Sequence, residues 1–373
     1  MKYDFLIIGA GISGASAGYE LAPFGSTIIV EAESSGAYHS TGRSAALYTP
    51  NYGSELVCKI NRLSYGFLNK PPSGFCEHPL LTPRGLLVVA SEGAVNQLQP
   101  LLDTGGSEVE SLNSAQTLTK APFLKSERVA ESVFERDVAD MDVHSLHQGY
   151  LNGYRKRGGT LLCGSPVSAL KATKDGWTVH VGDRTLEART VVNAAGAWAD
   201  RVGSMAGAQT LGLVPKRRSA ILVDVTDSLD VSRCPAVGFI GAENYIKPQG
   251  DQLMVSPGDA TPMDAQDVQP DDLELAMLVD WLESETQIEV KRLNHRWAGL
   301  RSFVNDDEPV VGFDPIVNDF FWLAAQGGYG IMMSSALARA ATGLIVDNRL
   351  PEDFLQVNIE PAMLSVERLL ASV

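Results

Sequence analysis

Hydrophobic positions at the start of the chain follow first one period and then another, which predicts a strand followed by a helix. Phe5 to Ile8 form an unbroken apolar run, typical of a strand that is buried on both faces. Small residues dominate the next segment, Ala15 to Leu21, and Gly25 ends it before a second apolar run, Thr27 to Val30. Strand, helix and strand in this order predict a βαβ unit with two parallel strands.

Two further pattern types divide the rest of the chain. Period-two alternation in SAILVDV (219–225) and NYIKPQ (244–249) predicts antiparallel strands. Before residue 219 and after residue 249, the chain again shows helical and buried-strand patterns. They predict a helix at Ser145–Arg157, strands at Leu161–Cys163, from Val167 and at the start of VVNAAGAW (191–198), and a helix at Met333–Val346.

Glycines between the first strand and helix form the pattern GxGxxG, at Gly9, Gly11 and Gly14. The first glycine allows a tight turn, the second lets a pyrophosphate approach the backbone, and the third lets helix and strand pack closely. Glu31 ends the second strand, where a carboxylate accepts a hydrogen bond from a ribose hydroxyl. Strand, glycines, helix, strand and acid in register predict a dinucleotide site, and the acid disfavours NADP.

A long polar loop, HSTGRSAALYTPNYG at 39–53, follows this unit and favours FAD over NAD. An NAD-binding unit normally continues with further strand–helix repeats, whereas this loop offers hydroxyls and backbone N–H groups to a flavin and its phosphates. A flexible surface loop is the alternative. Gly327, Gly328 and Gly330 offer further N–H groups where the last long helix begins.

Composition narrows the partners and the location. The 373 residues carry a net charge of −15, which argues against nucleic acid and anionic membranes as partners. The four cysteines, Cys58, Cys76, Cys163 and Cys234, form no CxxC pair, so neither a metal site nor a disulfide framework is expected. No apolar run approaches the roughly 18 residues of a spanning helix. We therefore expect a soluble, cytoplasmic protein.

Several long segments resemble the D-amino-acid oxidase and glycine oxidase family of flavoenzymes, and within it the bacterial D-arginine dehydrogenases. They are IIGAGISGAS (7–16), the 39–53 loop, GFCEHPLLTPRG (74–85), HQGYLNGYRKRGG (147–159), VVNAAGAWAD (191–200), PKRRSA (215–220), WAGLRSFV (297–304) and AAQGGYGI (324–331). The resemblance implies non-covalent FAD and oxidation of a D-amino acid to its imino acid. It also implies an α/β fold with two domains, a Rossmann-like FAD-binding domain and a mostly antiparallel substrate-binding domain.

The predicted domains are discontinuous. Residues 1–53, 143–212 and 297–373 are assigned to the FAD-binding domain, and residues 54–142 and 213–296 to the substrate-binding domain. The family's cofactor positions fall in the first of these. They are Gly9, Gly11, Ile12, Ser13, Gly14, Glu31, Ala32, His39, Ser40, Thr41, Arg43, Ser44, Ala45, Ala46, Val167, Ala195, Gly196, Trp198, Arg301, Gly327, Gly328, Tyr329, Gly330 and Ile331. Trp198 could equally be a core residue.

The candidate catalytic residues match the family's motifs. A substrate carboxylate calls for arginine, and the resemblance selects Arg218 and Arg301. Period-two alternation puts Arg217 and Arg218 on opposite faces of a strand, so only one can point into a site. For Arg217 and Arg218 the alternative is a solvated basic patch. For Arg301 the alternative is a structural ion pair. Tyr52 and Tyr245 match active-site phenols, although Tyr245 also suits half-buried packing, and Gly299 and Gly328 would offer backbone carbonyls to the substrate amine.

The substrate's side chain is the point where the chain departs from the D-arginine dehydrogenases. Their glutamate that binds the guanidinium corresponds to Leu86, and their loop histidine corresponds to Leu47. With Tyr48, these residues predict an apolar pocket that favours neutral, hydrophobic D-amino acids. Another acid such as Glu77 could replace the lost one.

Other functions stay open on the sequence. They are a glycine or sarcosine oxidase and an amino-acid sensor without turnover. The resemblance favours a dehydrogenase whose electron acceptor is a quinone or another non-oxygen compound.

Overall fold

Eight strands form the first sheet, called sheet I, in a computed structural model that describes residues 2–104, 108–225 and 229–370. Their bounds are β1 Lys2–Ile8, β2 Thr27–Val30, β9 Thr160–Leu162, β10 Val167–Thr173, β11 Gly176–Val181, β12 Arg184–Asn193, β18 Val310–Phe313 and β19 Phe320–Ala324. The path runs β10-β11-β12-β1-β2-β9, and β19 pairs with β12 and β18. The predicted Rossmann-like arrangement is confirmed.

The centre of sheet I explains the apolar start of the chain. β1 lies between β2 and β12 and is parallel to both, so its last four residues are buried. β12 pairs with β1 along one edge, and along the other edge first with β11 and then with β19. The carboxyl ends of β1, β2 and β12 therefore meet at one edge of the sheet, where ligands bind in open α/β sheets.

Helices cover sheet I and build its core. α1 packs against α5 and α8, and α2 packs against α8. Gly18 of α1 allows a close approach to the sheet, since a Cβ atom there would lie 2.7 Å from Ile29 Cδ1. The bounds of the helices are α1 Ile12–Leu21, α2 Glu55–Asn69, α3 Gln99–Thr104, α4 Ser114–Lys120, α5 Val143–Lys156, α6 Ala199–Ala206, α7 Asp272–Glu285, α8 Gly330–Asp347, α9 Glu352–Gln356, α10 Pro361–Leu364 and α11 Glu367–Leu370.

A second sheet, called sheet II, also has eight strands, and all but one of its pairings are antiparallel. Its order is β17-β13-β16-β15-β14-β5-β7-β6. The exception is the parallel pair of β5 and β14. The strands are β5 Leu86–Ala90, β6 Val109–Asn113, β7 Glu131–Glu135, β13 Val214–Asp224, β14 Ala236–Phe239, β15 Tyr245–Gln249, β16 Gln252–Ser256 and β17 Leu293–Phe303.

Three short strands form sheet III, in the order β3-β8-β4. They are β3 Leu47–Tyr48, β4 Leu81–Pro83 and β8 Ala139–Met141. β8 ties Leu47 and Tyr48, in the middle of the 39–53 loop, to Leu81–Pro83 just before β5, so this small sheet fixes the loop beside sheet II.

The division into two domains stays a prediction, and sheet membership bears on its bounds. The predicted boundary between residues 296 and 297 falls inside β17, which pairs with β13 over its whole length in sheet II. Residues 297–303 therefore belong to the sheet of the predicted substrate-binding domain. In the part of the chain that the structure describes, no helix is both long and apolar enough to cross a bilayer.

Candidate active site

One large cavity, of about 680 Å³, collects most of the predicted residues. Its wall comes from the carboxyl ends of β1, β2 and β12, from the 39–47 loop, from β13 and β17, and from the start of α8. Of the predicted cofactor residues, all but Gly14 and Tyr329 line it. The predicted catalytic residues Arg218, Arg301, Tyr52, Tyr245, Gly299 and Gly328 line it as well, as do Leu47 and Leu86.

The glycines of the GxGxxG motif have separate tasks. Gly9 has a φ of 103°, and a Cβ there would lie 2.5 Å from the carbonyl oxygen of Ala194. Gly14 does not line the cavity, because it faces the first strand. A Cβ at Gly14 would lie 1.9 Å from the Gly9 oxygen, so only glycine permits this contact between helix and turn. Its role is therefore helix–turn packing, as the motif analysis predicts.

Glu31 is fixed by the backbone at the end of β2. Its Oε2 accepts from the N–H of Ala10 at 2.6 Å, and its Oε1 accepts from the N–H of Glu33 at 2.9 Å. Each carboxylate oxygen keeps a second lone pair for a ribose hydroxyl. Glu33, which sequence reasoning missed, also lines the cavity and lies 2.9 Å from Nε2 of His39. The position of Glu33, an acid only two residues after Glu31, is the sequence feature that could have predicted its place in the site.

Two helices begin at the cavity wall. α1 and α8 have no capping side chain and no acidic residue in their first turns. Ile12 donates its N–H to Thr41 Oγ1 at 3.0 Å, which joins the 39–53 loop to the start of α1. Unpaired N–H groups and the helix dipole favour anions at such positions. With the glycine turn and Glu31, these helix starts form a cradle that fits the pyrophosphate and ribose of FAD.

The paired arginines of β13 separate as the alternation predicts. Arg217 lies off the cavity and is only 8% exposed. Its guanidinium lies 3.1 Å from Asp259 and 2.8 Å from Glu274. Arg218 lines the cavity, and its Nε donates to the backbone carbonyl of Asp259 at 2.7 Å. The Asp259 carboxylate itself is taken by Arg217 and Ser219.

Arg218 and Arg301 form a pair of cations without carboxylate partners among the described residues. Burial lowers the pKa of Arg218, and the positive charge of Arg301 lowers this pKa further. The Arg301 guanidinium lies against Gly328, where a Cβ would come within 2.7 Å of Nη1. Two such cations in one cavity create a site for an anion, and the planar guanidinium fork suits a carboxylate.

Tyrosines stand beside this pair. Tyr52 and Tyr245 both line the cavity, and Tyr52 is 49% exposed at its mouth. Tyr329 was predicted to contact the cofactor, but its ring packs against Tyr52, with centroids 5.3 Å apart, and does not line the cavity. Burial raises the pKa of Tyr329 to about 12. Its N–H is used by the Gln326 carbonyl, so we correct its role to support of Tyr52.

The predicted side-chain pocket needs one correction. Tyr48 does not line the cavity, because alternation along β3 turns it away from the side of Leu47. Tyr48 is 2% exposed within the core and donates its hydroxyl to the carbonyl of Asn61 at 3.3 Å. Glu77 is exposed and lies outside the cavity wall.

Sheet II supplies pocket residues that the sequence did not reveal. Val88, Ala236, Gly238 and Met254 line the cavity beside Leu86. The residues of β5 and β14 meet because these strands pair in parallel, with Leu86 opposite Ala236 and Val88 opposite Gly238, whereas Met254 comes from β16. A Cβ at Gly238 would meet only open space, so this part of the wall leaves room for a ligand.

A buried lysine supports the cofactor loop. Lys247 donates from Nζ to the carbonyl of Ala45 at 2.9 Å, and Asp140 Oδ1 lies 3.5 Å away. Burial lowers the pKa of Lys247 and Asp140 opposes this shift. Arg84 donates from Nε to the same carboxylate at 2.7 Å. This charge cluster holds Ala45 at the cavity wall. No local sequence motif predicts the cluster.

Metal ligation has no candidate in the part of the chain that the structure describes. No group of three or more His, Cys, Asp or Glu side chains lies close enough together to hold an ion.

Comparison with known proteins supplies the family. Human mitochondrial sarcosine dehydrogenase is 22% identical over 94% of this chain and 40% of its own length, so the chain spans about two fifths of that relative. Glycine oxidase from Geobacillus kaustophilus has a TM-score of 0.80 at 20% identity, with 94% of this chain and 96% of that chain covered. L-proline dehydrogenase from P. horikoshii has a TM-score of 0.82 at 17% identity, with 100% and 98% covered. These two likenesses show the fold.

The family model settles the assignment that the motifs predicted. The model for the DAO family of FAD-dependent oxidoreductases matches residues 4–344, which include the glycine turn, both cavity arginines and the start of α8. The resemblance drawn from the sequence is confirmed at this level, as is FAD as the cofactor: the chain belongs to the DAO family of FAD-dependent oxidoreductases.

Proposed function

We propose that the chain is a dehydrogenase that oxidises neutral, apolar D-amino acids to their imino acids, which water then converts to a 2-oxo acid and ammonia. The observation that carries this proposal is the pair of cavity guanidiniums, Arg218 and Arg301, without carboxylate partners among the described residues. An amino-acid carboxylate would complete the site by accepting from both.

The arginines act by holding the substrate rather than by moving protons. A guanidinium keeps its charge in proteins and binds a carboxylate through two parallel hydrogen bonds. Binding there fixes one end of the substrate, and Tyr52 and Tyr245 stand beside it as donors or as walls that exclude water. Charge–charge attraction in a half-buried site is much stronger than in water, so the carboxylate is the main anchor.

The reacting carbon is positioned by backbone groups. FAD supplies a hydride acceptor when it is bound, so the protein needs to orient Cα and keep the amine neutral. We assign the carbonyls of Gly299 and Gly328 to accept from the substrate amine. Both residues line the cavity, and Gly328 lies against the Arg301 guanidinium, which supports this assignment.

The side-chain preference rests on the apolar wall. Leu47 and Leu86 stand where D-arginine dehydrogenases have polar residues, and Val88, Ala236 and Met254 extend the wall. An apolar side chain gains about 1.5–3 kcal/mol by burial there, whereas an unpaired cation is strongly disfavoured. Glu243 also lines the cavity, but it is an exposed residue and not part of the apolar wall. The D configuration rests on the sequence resemblance.

Oxidation of glycine or sarcosine is the second candidate, because sarcosine dehydrogenase and glycine oxidase are among the similar proteins. The open space beside Gly238 argues for a larger side chain, since either small substrate would leave it empty. An amino-acid sensor without turnover would share the arginine pair but would leave the flavin oxidised.

An anaerobic substrate panel tests the proposal. Purified holoenzyme is mixed with the D and L forms of leucine, phenylalanine, methionine and arginine, and with glycine and sarcosine, while the flavin absorbance is followed. We expect the D forms of leucine, phenylalanine or methionine to bleach the flavin with the highest kcat/KM. The best rate with D-arginine, with an L form or with sarcosine would refute the substrate assignment, and no bleaching at all would favour the sensor.

A further inference from the structure

A second cavity, of about 480 Å³, lies on the far side of one wall of the large cavity. It is lined by loop residues 42–44, by residues 295–298 of β17 and by side chains that include Gln249 and Gln269. Four residues line both cavities. They are Tyr38, Arg43, Ser44 and Trp297. The wall between the two cavities is therefore no thicker than the side chains of these shared residues.

The two cavities lie along one face of the β13–β17 ribbon. Opposed residues of an antiparallel pair point to the same face, and every second residue shares that face. The successive pairs are Arg218 with Gly299, Ala220 with Trp297, and Leu222 with His295. The first pair lines the large cavity, the second lies at the wall, and the third lines the second cavity. Gly299 and His295 are about 13 Å apart along the strand.

The wall itself is held in place by hydrogen bonds. Trp297 donates from Nε1 to the carbonyl of Arg43 at 3.2 Å. The Arg43 guanidinium donates to the Ala298 carbonyl at 3.0 Å and to Asp267 at 2.6 Å. Arg43 and Ser44 belong to the loop that continues into Ala45 and Ala46 on the large cavity. Trp297 lines both cavities and is tied to this loop by its indole N–H.

We propose that the second cavity, called the acceptor pocket, binds a planar aromatic two-electron acceptor of the quinone class. The rings of His295 and Trp297 are stacked, with centroids 5.2 Å apart and planes 24° apart, and His295 is exposed for a further ring to stack on. Gln249 and Gln269 offer amide N–H groups to quinone oxygens. This inference rests on the proposed function as a dehydrogenase, which needs such an acceptor.

The reaction at the acceptor pocket balances. When FAD is bound in the large cavity and has been reduced by the amino acid, it would give up two electrons and two protons. A quinone in the acceptor pocket would take up the two electrons together with two protons, through solvent, to become the quinol, and FAD would return to its oxidised form. Because the acceptor and the amino acid occupy different cavities, the acceptor does not have to wait for the oxidised product to leave the large cavity.

The test uses holoenzyme reduced with stoichiometric dithionite, so that it does not depend on any amino-acid substrate. Reduced protein is mixed anaerobically with menadione in a stopped-flow instrument, and recovery of flavin absorbance gives the rate constant. We expect His295→Ala to lower the second-order rate constant roughly three- to tenfold, because the stacking partner is lost. Gln269→Trp, which fills the pocket from an exposed position, should lower it at least as much. His180→Ala, at an exposed histidine of β11 outside both cavities, is the matched control and should react like wild type.

A binding measurement on oxidised holoenzyme gives an independent readout. Equilibrium dialysis with menadione should show one site that His295→Ala weakens and that the 2-oxo acid of leucine does not displace. Displacement by that oxo acid would place the quinone in the large cavity and overturn the proposal. Equal reoxidation rates in wild type, His295→Ala and Gln269→Trp, or no reoxidation by menadione at all, would overturn it as well. A failure of every amino acid to reduce the flavin would sink the proposed function alone.

Discussion

Arg217 and Arg218 are neighbours in the sequence, yet their guanidinium groups lie on opposite faces of β13 in opposite electrostatic surroundings. Arg217 is surrounded by carboxylates and is almost fully buried. Arg218 faces another cation, Arg301, inside the cavity, and among the described residues its guanidinium donates to a backbone carbonyl, that of Asp259, rather than to a carboxylate. Arg217 therefore stabilises the fold through its ion pairs, whereas the charge of Arg218 is available to a ligand.

Replacement of either cavity arginine should separate substrate binding from cofactor binding. Arg218→Met and Arg301→Met keep most of the side-chain volume and remove a cation that we assign to the substrate carboxylate. We expect each to lower kcat/KM roughly 30- to several-thousand-fold while FAD stays bound. This fall corresponds to a loss of about 2–5 kcal/mol of interaction free energy with the substrate carboxylate. Steady-state kinetics and the flavin-to-protein absorbance ratio check both parts. Near-normal kcat/KM in either variant would remove that arginine from the proposed site.

Arg217→Met is the matched control for this prediction. It leaves Asp259, whose side chain is 5% exposed, as a buried carboxylate without its guanidinium. Removal of one partner of a buried ion pair typically costs about 3–5 kcal/mol of the free energy of unfolding. We expect a clear fall in Tm and, in the protein that stays folded, turnover closer to wild type than in Arg218→Met. Unchanged Tm with lost turnover would show that Arg217 and Arg218 have been assigned the wrong way round.

A methyl group at Gly328 should displace Arg301. The added Cβ would lie 2.7 Å from Nη1 and 3.0 Å from Cζ of that arginine, so the guanidinium has to move away from the carboxylate position. Gly328→Ala should raise the KM for the amino acid about tenfold or more, because a displacement near 1 Å is costly in a site that works by orientation. Gly238→Ala, where a Cβ meets open space, is the control for an added methyl in the same cavity. An equal KM in wild type and Gly328→Ala would contradict the proposed position of Arg301.

An acid at position 86 should change the substrate preference. Leu86→Glu places a carboxylate in the apolar wall, where it can pair with a cationic side chain. We expect the ratio of kcat/KM for D-arginine over D-leucine to rise at least about tenfold, which corresponds to 1.4 kcal/mol. Leu86→Gln, which is polar but uncharged, should not favour D-arginine in this way. If the two variants have the same ratio as wild type, Leu86 does not contact the substrate side chain.

The carboxylate of Glu31 should matter for the cofactor and not for the turnover of loaded enzyme. Glu31→Ala removes the acceptor of the Ala10 and Glu33 N–H groups together with the proposed partner of the ribose. We expect FAD to dissociate more readily, with a Kd raised about tenfold or more, since hydrogen bonds to charged groups contribute about 1.5–3 kcal/mol. Fluorescence titration of the apoprotein measures the Kd, and kcat at saturating FAD should be little changed. An unaltered Kd would contradict the assignment.

His147 should make the free energy of unfolding depend on pH. The residue is buried, its Nε2 lies 2.8 Å from the carbonyl of Ala10, and burial lowers its pKa. Below about pH 6.5 the unfolded chain binds a proton that the folded chain does not. The free energy of unfolding therefore decreases as the pH is lowered, until the pH reaches the lowered pKa of His147 in the folded state. The slope for one proton is at most about 1.4 kcal/mol per pH unit.

Urea unfolding of wild type and His147→Gln at several pH values between neutral and mildly acidic tests this prediction. The difference between the two proteins matters, because half-buried carboxyls such as Glu20 and Glu135 have raised pKa values and act in the opposite direction. We expect the variant to lose less stability than wild type as the pH falls. Parallel curves would show that His147 titrates alike in both states.

Sequence reasoning found the elements whose signals are local. The βαβ unit was predictable because its strands, glycines and acid lie within about 30 consecutive residues. Alternation correctly separated Arg217 from Arg218. The same rule applied to Leu47 and Tyr48 would have excluded Tyr48 from the pocket, so that error was avoidable.

Long-range contacts were beyond the local patterns. Val88 and Gly238 meet only because β5 and β14 pair in parallel across about 150 residues of sequence. The hydrogen bond from Lys247 to Ala45 joins residues separated by 202 positions. Neither contact has a signal within its own segment. The roles of the site residues stay predictions that the variants above can decide.

The position of β1 in the middle of sheet I has a consequence for biosynthesis. β2 is made soon after β1, but the other edge of β1 has to wait for β12, whose paired residues end at Asn193. At about 5–20 residues per second, an apolar strand edge stays open on the ribosome for roughly ten to forty seconds. An open edge of this kind can pair with other chains, so the nascent protein is expected to depend on chaperones during this interval. Capture of FAD comes later still, because the cavity also needs α8, and it therefore marks the completion of folding.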